Sequence, residues 1–193
     1  SRRALEGGVT PAGALEAGRD RAAPDGPPLV LFTYMNPWLS LGADAAARTA
    51  AAGFAAVLVA DLPFDEAPDV DRTLSEAGLP RIRLAAPTSP EARLRELARG
   101  AEGFVYLIAR TGVTGAGRGS DRRLAEQVRI LREETDLAIV AGFGIRDEDD
   151  ARRAAAETDG IVVGTALVER LDREGPEAAA GWVAGLRRAL DAG

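Results

Sequence analysis

The sequence contains no cysteine, no histidine and no lysine, and all 24 of its basic residues are arginine. These absences exclude disulfides, zinc sites built on cysteine or histidine, Ser-His-Asp and Cys-His nucleophiles, and lysine Schiff bases. Any acid-base chemistry must therefore come from aspartate, glutamate or tyrosine. A chain without cysteine also fits a reducing compartment.

Long hydrophobic runs and an excess of positive charge are missing as well. No apolar run approaches the ~20 residues that span a bilayer, and the first residues lack the apolar stretch of a secretion signal. We therefore expect a cytoplasmic protein without membrane contact. The net charge of -6 argues against a nucleic-acid partner, which requires clustered cations. With 46% hydrophobic residues the chain can bury a sizeable core, and we expect one domain over residues 1–193.

Six apolar runs of strand length alternate with segments of helical character. The runs cover residues 29–36, 56–62, 82–86, 103–109, 137–144 and 160–166. Strands joined by helical crossovers predict a parallel sheet, either a closed (β/α)₈ barrel or an open doubly wound sheet. The apolar stripe of Leu124, Val128 and Leu131 is typical of one such crossover helix, which we expect to begin at Ser120.

The placement of polar, glycine and aromatic residues favours the barrel. These residues gather at the C-terminal ends of nearly every run, whereas an open sheet concentrates its site at one switch point. A complete barrel needs eight strands and about 250 residues, so six runs represent a partial one. We expect two further strand-helix units before residue 1, with the segment Pro11 to Arg21 leading into the first run.

Capping signals mark the starts of two helices. Ser89 precedes Pro90, and proline suits the first position of a helix because its missing N–H needs no partner there. The acidic run of Asp147, Glu148 and Asp149 suits a first turn, where the helix dipole favours negative charge.

A glycine-rich segment follows the fourth run, with four glycines between Ala109 and Gly119. Two interpretations remain open: a long turn, or a mobile lid whose backbone N–H groups approach an anion. Glycine loses more conformational freedom on folding than any other residue, so four of them in one connection need a reason.

The last two runs also end in glycine. Gly144 is the last residue of the fifth run, and Gly164-Thr165, near the end of the sixth, leads directly into a short helix. Helix N-termini present free N–H groups to anions, and barrels commonly bind phosphate in the loops after their seventh and eighth strands. The sequence therefore predicts a phosphate site at these strand ends. The hydroxyls of Tyr34 and Tyr106 suit either a pocket or a core, and Asp61 suits either a site or the cap of the following turn.

Seven motifs together resemble the alpha subunit family of tryptophan synthase. They read VTPAGALE, YMNP, VLVADLPFDEA, APTSP, YLIARTGVTGAG, GFGI and GTALV, and TGVTG is the most specific. The resemblance covers essentially all 193 residues but begins well inside the family's pattern. It implies a (β/α)₈ barrel and a carbon-carbon lyase that cleaves indole-3-glycerol phosphate by a retro-aldol reaction into indole and glyceraldehyde 3-phosphate.

The resemblance also implies a partner and roles for particular residues. A beta subunit would carry pyridoxal phosphate and receive indole through a tunnel in an alpha2beta2 assembly, while the alpha subunit would need neither a cofactor nor a metal. The loop at Asn36-Pro37 would face that partner. The phosphate-binding residues would be Gly115, Phe143, Gly144, Gly164 and Thr165. The lid would include Arg110 and Thr114, and the substrate pocket Tyr34, Ala60, Leu84 and Tyr106.

One departure from the family concerns catalysis. The family's acid-base glutamate lies in an E-L-G-x-P-F-S-D-P motif that is followed by an A-D-G-P loop, and neither occurs in these 193 residues. Asp61 does not substitute, because the family carries an aspartate there in addition to the glutamate. The catalytic residue is therefore unassigned, with Tyr106 as the nearby candidate. We expect the chain alone to be inactive, and to aggregate, dimerise or rely on a partner through its unpaired sheet edges.

Two other functions compete with this interpretation. The first is a non-catalytic remnant that binds phosphate ligands or a beta-type subunit without turnover. The second is a different phosphate-binding barrel, such as a pentose-phosphate epimerase or an indole-glycerol-phosphate synthase. The absence of histidine and lysine counts against the second, since these enzymes resemble sites built on those residues.

Overall fold

The computed structural model describes residues 6–108, 117–142 and 144–191, with the backbone alone for residues 117–121. These residues pack into two compact units, Ser1–Leu84 and Ala85–Gly193, which we describe in turn. This division reflects the packing inside each unit, so the expectation of one domain stays a prediction.

Between residues 11 and 76, within the described part of the first unit, two parallel strands combine with four helices. In chain order they are α1 (Pro11–Arg19), β1 (Leu29–Thr33), α2 (Met35–Ser40), α3 (Ala45–Ala51), β2 (Phe54–Val59) and α4 (Pro68–Glu76). β1 and β2 run parallel, with Thr33 opposite Val59. The pairing continues past the strands, because the Ala60 N–H donates to the Thr33 carbonyl at 2.9 Å.

Local signals explain where α1 begins, and its apolar face joins the core of the unit. The Thr10 hydroxyl accepts a hydrogen bond from the Gly13 N–H at 3.1 Å, and Pro11 occupies the first turn. Helix and strand side chains then pack together in one hydrophobic cluster. Its buried members are Leu15, Trp38, Leu41, Ala45, Ala46, Ala52, Val57, Val59, Val70, Leu74 and Leu79.

The second unit alternates strands with helices, and β3 (Arg83–Ala85) spans the boundary that precedes it. The described elements after β3 are α5 (Glu91–Arg99), β4 (Phe104–Ile108), α6 (Gly117–Arg132), β5 (Ala138–Gly142), α7 (Glu148–Ala155), β6 (Gly160–Val162), α8 (Thr165–Glu174) and α9 (Pro176–Asp191). β5 runs parallel to both β4 and β6. Strand-helix alternation with parallel pairing is therefore confirmed for these elements.

The core of the second unit lies along its sheet and inner helix faces. The predicted stripe of Leu124, Val128 and Leu131 is buried on α6, as an amphipathic helix requires. The described part of α6 already includes Gly117, three residues before the predicted start at Ser120. The buried strand residues include Val105, Leu107, Ile139 and Ala141.

Two expectations about local structure are wrong. The first run ends at Thr33, and Asn36 and Pro37 lie in the helix α2 rather than in a loop. Proline is tolerated there because the first turn of a helix needs no N–H from it. Ser89 does not cap α5, because Pro90 occupies the N-cap position in an extended conformation. The Ser89 hydroxyl instead accepts from the Ala86 N–H at 3.2 Å and closes a turn.

Candidate functional site

The ends of β5 and β6 bring the two predicted glycine segments of the second unit side by side. Gly142 and Val162 are ladder partners, and each is the last residue of its strand. Gly144 and Gly164 lie two residues beyond these partners. Because neighbouring strands are about 4.8 Å apart, both loops leave the sheet at adjacent positions of its carboxyl edge.

The loop after β5 needs glycine for its backbone conformation. Gly144 has φ +85°, in the left-handed region where side chains are strained. The next residue, Ile145, is buried with 4% of its surface exposed. The Arg146 N–H then donates to the Asp150 carboxylate at 3.0 Å, and Asp147 caps α7 by accepting from the Asp150 N–H at 2.8 Å. The loop is therefore short and held at its far end.

The loop after β6 ends at the N-terminus of α8. Gly164 is the N-cap residue, and the described residues supply no side chain that caps it. Gly164 and Thr165 are exposed, and a Cβ added at Gly164 would meet no described heavy atom within 4 Å. The first N–H groups of a helix have no acceptor within the helix and lie at the positive end of its dipole. This end of α8 therefore has room and donors for an anion.

Tyr106 lies in β4 of the same sheet, one strand away from β6. It is buried, with 8% of its surface exposed, and burial raises the pKa of its hydroxyl. Its ring fills the space beside Gly142, where an added Cβ would overlap the hydroxyl and Cζ. A neutral phenol at physiological pH donates hydrogen bonds but is a poor base.

In the first unit, the structure brings Tyr34 and Ala60 to neighbouring strand ends. Tyr34 follows β1 as the N-cap residue of α2 and is 54% exposed. Ala60 follows β2 and is half-buried, as is Leu84 in β3. The Asp61 carboxylate accepts a hydrogen bond from the Met35 N–H at 2.7 Å. Asp61 therefore stabilises the start of α2, rather than the turn that follows it in the chain.

A buried arginine that sequence reasoning missed holds the loop after β2. The Arg81 guanidinium donates to the Phe64 carbonyl at 2.8 Å, and its Nε lies 2.6 Å from an Asp71 carboxylate oxygen. Arg83 lies over the Phe64 ring, 5.3 Å from its centroid. Arg81 is 6% exposed, so its charge is compensated inside the protein. An arginine directly after a proline carries no sequence signal of such burial.

The predicted site residues thus fall into three groups. Tyr34, Ala60 and Leu84 belong to the first unit, and Tyr106, Gly144, Gly164 and Thr165 belong to the second. Arg110, Thr114, Gly115 and Phe143 lie outside the described residues, so the choice between a long turn and a lid stays open. Sequence reasoning also missed Asp150, although an acid three residues after the N-cap Asp147 is a known signal for the start of a helix.

Within the part of the chain that the structure describes, no group of three or more aspartates or glutamates is arranged to hold a metal ion. No helix among these residues has the length and apolar character to cross a membrane.

Comparison with known proteins gives consistent matches along nearly the whole chain. The family described as "Tryptophan synthase alpha chain" matches residues 1–187. The tryptophan synthase alpha chain of Laribacter hongkongensis is 42% identical over an alignment 198 residues long, which covers all of this chain and 75% of the relative. That of Synechococcus elongatus is 38% identical over 98% of this chain and 72% of its own length.

Solved structures agree with these relatives. Tryptophan synthase subunit alpha from Campylobacter jejuni matches with a TM-score of 0.86 and 28% identity, over 95% of this chain and 73% of that chain. A structure of Mycobacterium tuberculosis tryptophan synthase matches with a TM-score of 0.84 and 34% identity, over 97% of this chain and 71% of that chain.

Proposed function

The chain belongs to the tryptophan synthase alpha chain family, and from this premise we propose that the ends of β5 and β6 bind the phosphate of indole-3-glycerol phosphate. The family is a lyase family of (β/α)₈ barrels, so the predicted partial barrel and enzyme class are confirmed. In the proposed reaction one carbon-carbon bond of the substrate is cleaved, and the products are indole and glyceraldehyde 3-phosphate.

The observation that carries this proposal is the adjacency of Gly144 and the N-terminus of α8. Gly142 pairs with Val162, so the two loops start from neighbouring ladder positions. One loop has a left-handed glycine, and the other ends in an exposed helix start without a side-chain cap among the described residues. Backbone donors of this kind bind phosphate without any lysine, which suits a chain of net charge -6.

The residues at these strand ends account for phosphate binding and not for the acid-base half of the reaction. Retro-aldol cleavage moves protons at the indole ring and at a glycerol hydroxyl, which requires a positioned acid and base. Burial raises the pKa of Tyr106, which suits a donor and opposes a base. Asp61 is engaged by the Met35 N–H, and the family's glutamate motif is not among these 193 residues. We therefore propose that these residues bind substrate, and that alone they do not release indole.

The partner of the proposed reaction is a tryptophan synthase beta subunit. It would receive indole and supply pyridoxal phosphate, so that the alpha chain needs no cofactor of its own. Two of the solved structures that this chain resembles, both from Mycobacterium tuberculosis, carry the name tryptophan synthase. A cytoplasmic location fits this biosynthetic role and the absence of cysteine.

The phosphate site can be tested with a charge substitution that the fold should accept. A Gly164→Asp change places a carboxylate where an anion would bind, in space that is free of described atoms. A Gly181→Asp change adds the same charge on α9, where an added Cβ likewise meets no atom within 4 Å. We expect glycerol 3-phosphate, measured by titration calorimetry, to bind the parent and the Gly181→Asp protein alike and to bind Gly164→Asp at least about tenfold more weakly.

The same proteins separate the two candidate functions. Release of indole from indole-3-glycerol phosphate by the parent chain would contradict the proposed lack of turnover and favour a complete enzyme. Binding of glycerol 3-phosphate and stimulation of a beta subunit, without indole release, supports the non-catalytic alternative, which the engagement of Asp61 favours. Equal affinity of the Gly164→Asp and Gly181→Asp proteins would refute the phosphate site.

A further inference from the structure

We propose that Asp150 is a positioning residue that holds the Gly144 loop in its phosphate-binding conformation. Asp150 lies in the first turn of α7 and has only 4% of its surface exposed. Its Oδ2 accepts a hydrogen bond from the Arg146 N–H at 3.0 Å, and its Oδ1 accepts from the Arg153 guanidinium. This inference rests on the proposed function, because it concerns the affinity of the same phosphate site.

The contact with Arg146 gives the loop a second fixed point. On one side of Gly144, Gly142 is held in the ladder by its pairing with Val162. On the other side, Ile145 is buried and the Arg146 N–H is bound by Asp150. Gly144 lies between these two anchors with φ +85°, a conformation that glycine leaves easily when it is not held. Without the contact between Asp150 and the Arg146 N–H, this backbone would become ordered only when phosphate binds, and the loss of conformational entropy would weaken the binding.

The charge of Asp150 makes this role unexpected. A carboxylate in the segment next to an anion site repels the anion, and burial weakens the solvent screening of that repulsion. Arg153 lies against Oδ1 and compensates the charge, and the Arg146 Nε is 3.8 Å from Oδ2. Buried carboxylates require such partners. Because its charge is compensated, Asp150 affects the site by fixing the position of the Arg146 N–H.

The two effects of Asp150 predict opposite outcomes for its removal. If only its charge mattered, neutralising it would strengthen the binding of a phosphate ester. If it positions the loop, removing it weakens the binding in spite of the lost repulsion. The sign of the change in affinity therefore decides between a charge effect and a positioning role.

Asp159 provides a matched control at the other end of β5. Its carboxylate accepts from the Ile139 N–H at 2.7 Å and pairs with Arg132, so it also joins one backbone N–H to one arginine. Ile139 is in β5 near its amino end, away from the loop that carries Gly144. Asp159→Ala should therefore cost stability of a similar kind without affecting the phosphate site.

The experiment measures glycerol 3-phosphate affinity by titration calorimetry in four proteins: the parent, Asp150→Ala, Asp150→Asn and Asp159→Ala. We expect Asp150→Ala to bind roughly five- to thirty-fold more weakly, the factor that corresponds to ordering about one residue's backbone. Asp150→Asn keeps an acceptor oxygen for the Arg146 N–H and should lose less. Asp159→Ala should bind as the parent does.

A spectroscopic readout separates positioning from general loss of stability. In ¹⁵N-labelled protein, the Gly144 amide signal should move in Asp150→Asn before any ligand is added, and it should stay in place in Asp159→Ala. If Asp150→Ala does not fold, the Asn variant with this signal decides the question alone. A folded Asp150→Asn protein with parent affinity and an unmoved Gly144 signal overturns the proposal, and so does tighter binding by either Asp150 variant.

Failure of the proposed function would look different. A parent protein that does not bind glycerol 3-phosphate refutes the phosphate site, and the role of Asp150 falls with it. A parent that binds, with Asp150 variants that bind equally well, leaves the phosphate site intact and refutes only the positioning role.

Discussion

Replacing Gly142 by alanine would add a methyl group against the ring of Tyr106. An added Cβ would overlap the Tyr106 hydroxyl and Cζ and would lie 3.0 Å from Cε1. Carbon atoms prefer separations of about 3.5–4.0 Å, so the ring or the β4–β5 pairing must move. Tyr106 is 8% exposed and has little room to retreat. Gly142 therefore maintains a close approach between two adjacent strands.

The size of the effect follows from two opposing contributions. Overpacking a well-packed core costs about 1–3 kcal/mol, and overlap with two ring atoms places this case in the upper half of that range. Alanine reduces the conformational freedom of the unfolded chain, which returns about 0.4–1 kcal/mol. We expect a net loss of about 1–2 kcal/mol in the free energy of unfolding for Gly142→Ala.

A double-mutant cycle with Tyr106→Leu tests the cause of this loss. Leucine lacks the ring atoms that the new methyl group would meet, so the Gly142→Ala change should cost about 1–2 kcal/mol less in the Tyr106→Leu background. Tyr106→Phe is the control, because it removes the hydroxyl but keeps Cζ, and it should relieve much less. The measurement is equilibrium urea unfolding of each protein, compared at unchanged m-value. Additive effects of Gly142→Ala and Tyr106→Leu, within about 0.5 kcal/mol, would refute the close approach.

Three further predictions concern single contacts. In a Tyr34→Phe protein, Tyr106 is the remaining tyrosine, and tyrosinate absorbance should show that its pKa lies above the usual value of about 10. The stability that this raised pKa contributes should be present below pH ~10 and be lost as the pH rises through the higher pKa of the folded state. Titration at the usual value would contradict the burial of Tyr106. Arg81→Met should lower the free energy of unfolding, measured in urea, by about 1–3 kcal/mol. This loss is smaller than that for breaking a fully buried ion pair, because the Asp71 side chain is 36% exposed and regains water. An unchanged free energy of unfolding would show that other contacts hold the loop after β2. Thr10→Ala should cost about 1 kcal/mol by loss of the α1 cap, whereas Thr10→Ser should cost much less, and equal losses would exclude the hydroxyl as the cause.

The architecture was readable from the sequence because its signals are local. Strand-length apolar runs separated by helical segments depend on neighbouring residues alone, so the sequence predicts each of the six strands found among the described residues. Gly164-Thr165 was predicted to open a helix, and α8 begins at Thr165. The end of the first strand differs from the prediction, because the apolar run at 29–36 continues past Thr33 into the short helix α2. A pattern of apolar residues does not distinguish a strand from one turn of helix.

The supports of the candidate site could not be read in the same way. In the sequence Asp61 suits either a site residue or a cap of its own turn, whereas its carboxylate accepts from the Met35 N–H, 26 positions away. Arg81 and Asp150 are charged residues at positions that a sequence pattern assigns to the surface, yet both are buried. Each is held in part by a backbone group, the Phe64 carbonyl for Arg81 and the Arg146 N–H for Asp150. Every residue has such groups, so composition cannot reveal these contacts.

The sequence by itself determined the family, the strand-helix order and the glycines at the strand ends, since each of these is encoded in residue type and spacing along the chain. Only the tertiary structure decided that Gly144 and α8 leave the sheet side by side, and that a buried carboxylate, Asp150, accepts from the Arg146 N–H two residues after Gly144. The physical reason is that strand pairing and the burial of a charge depend on which distant groups meet in space, and a carboxylate is stable inside a protein only where donors have been brought to it.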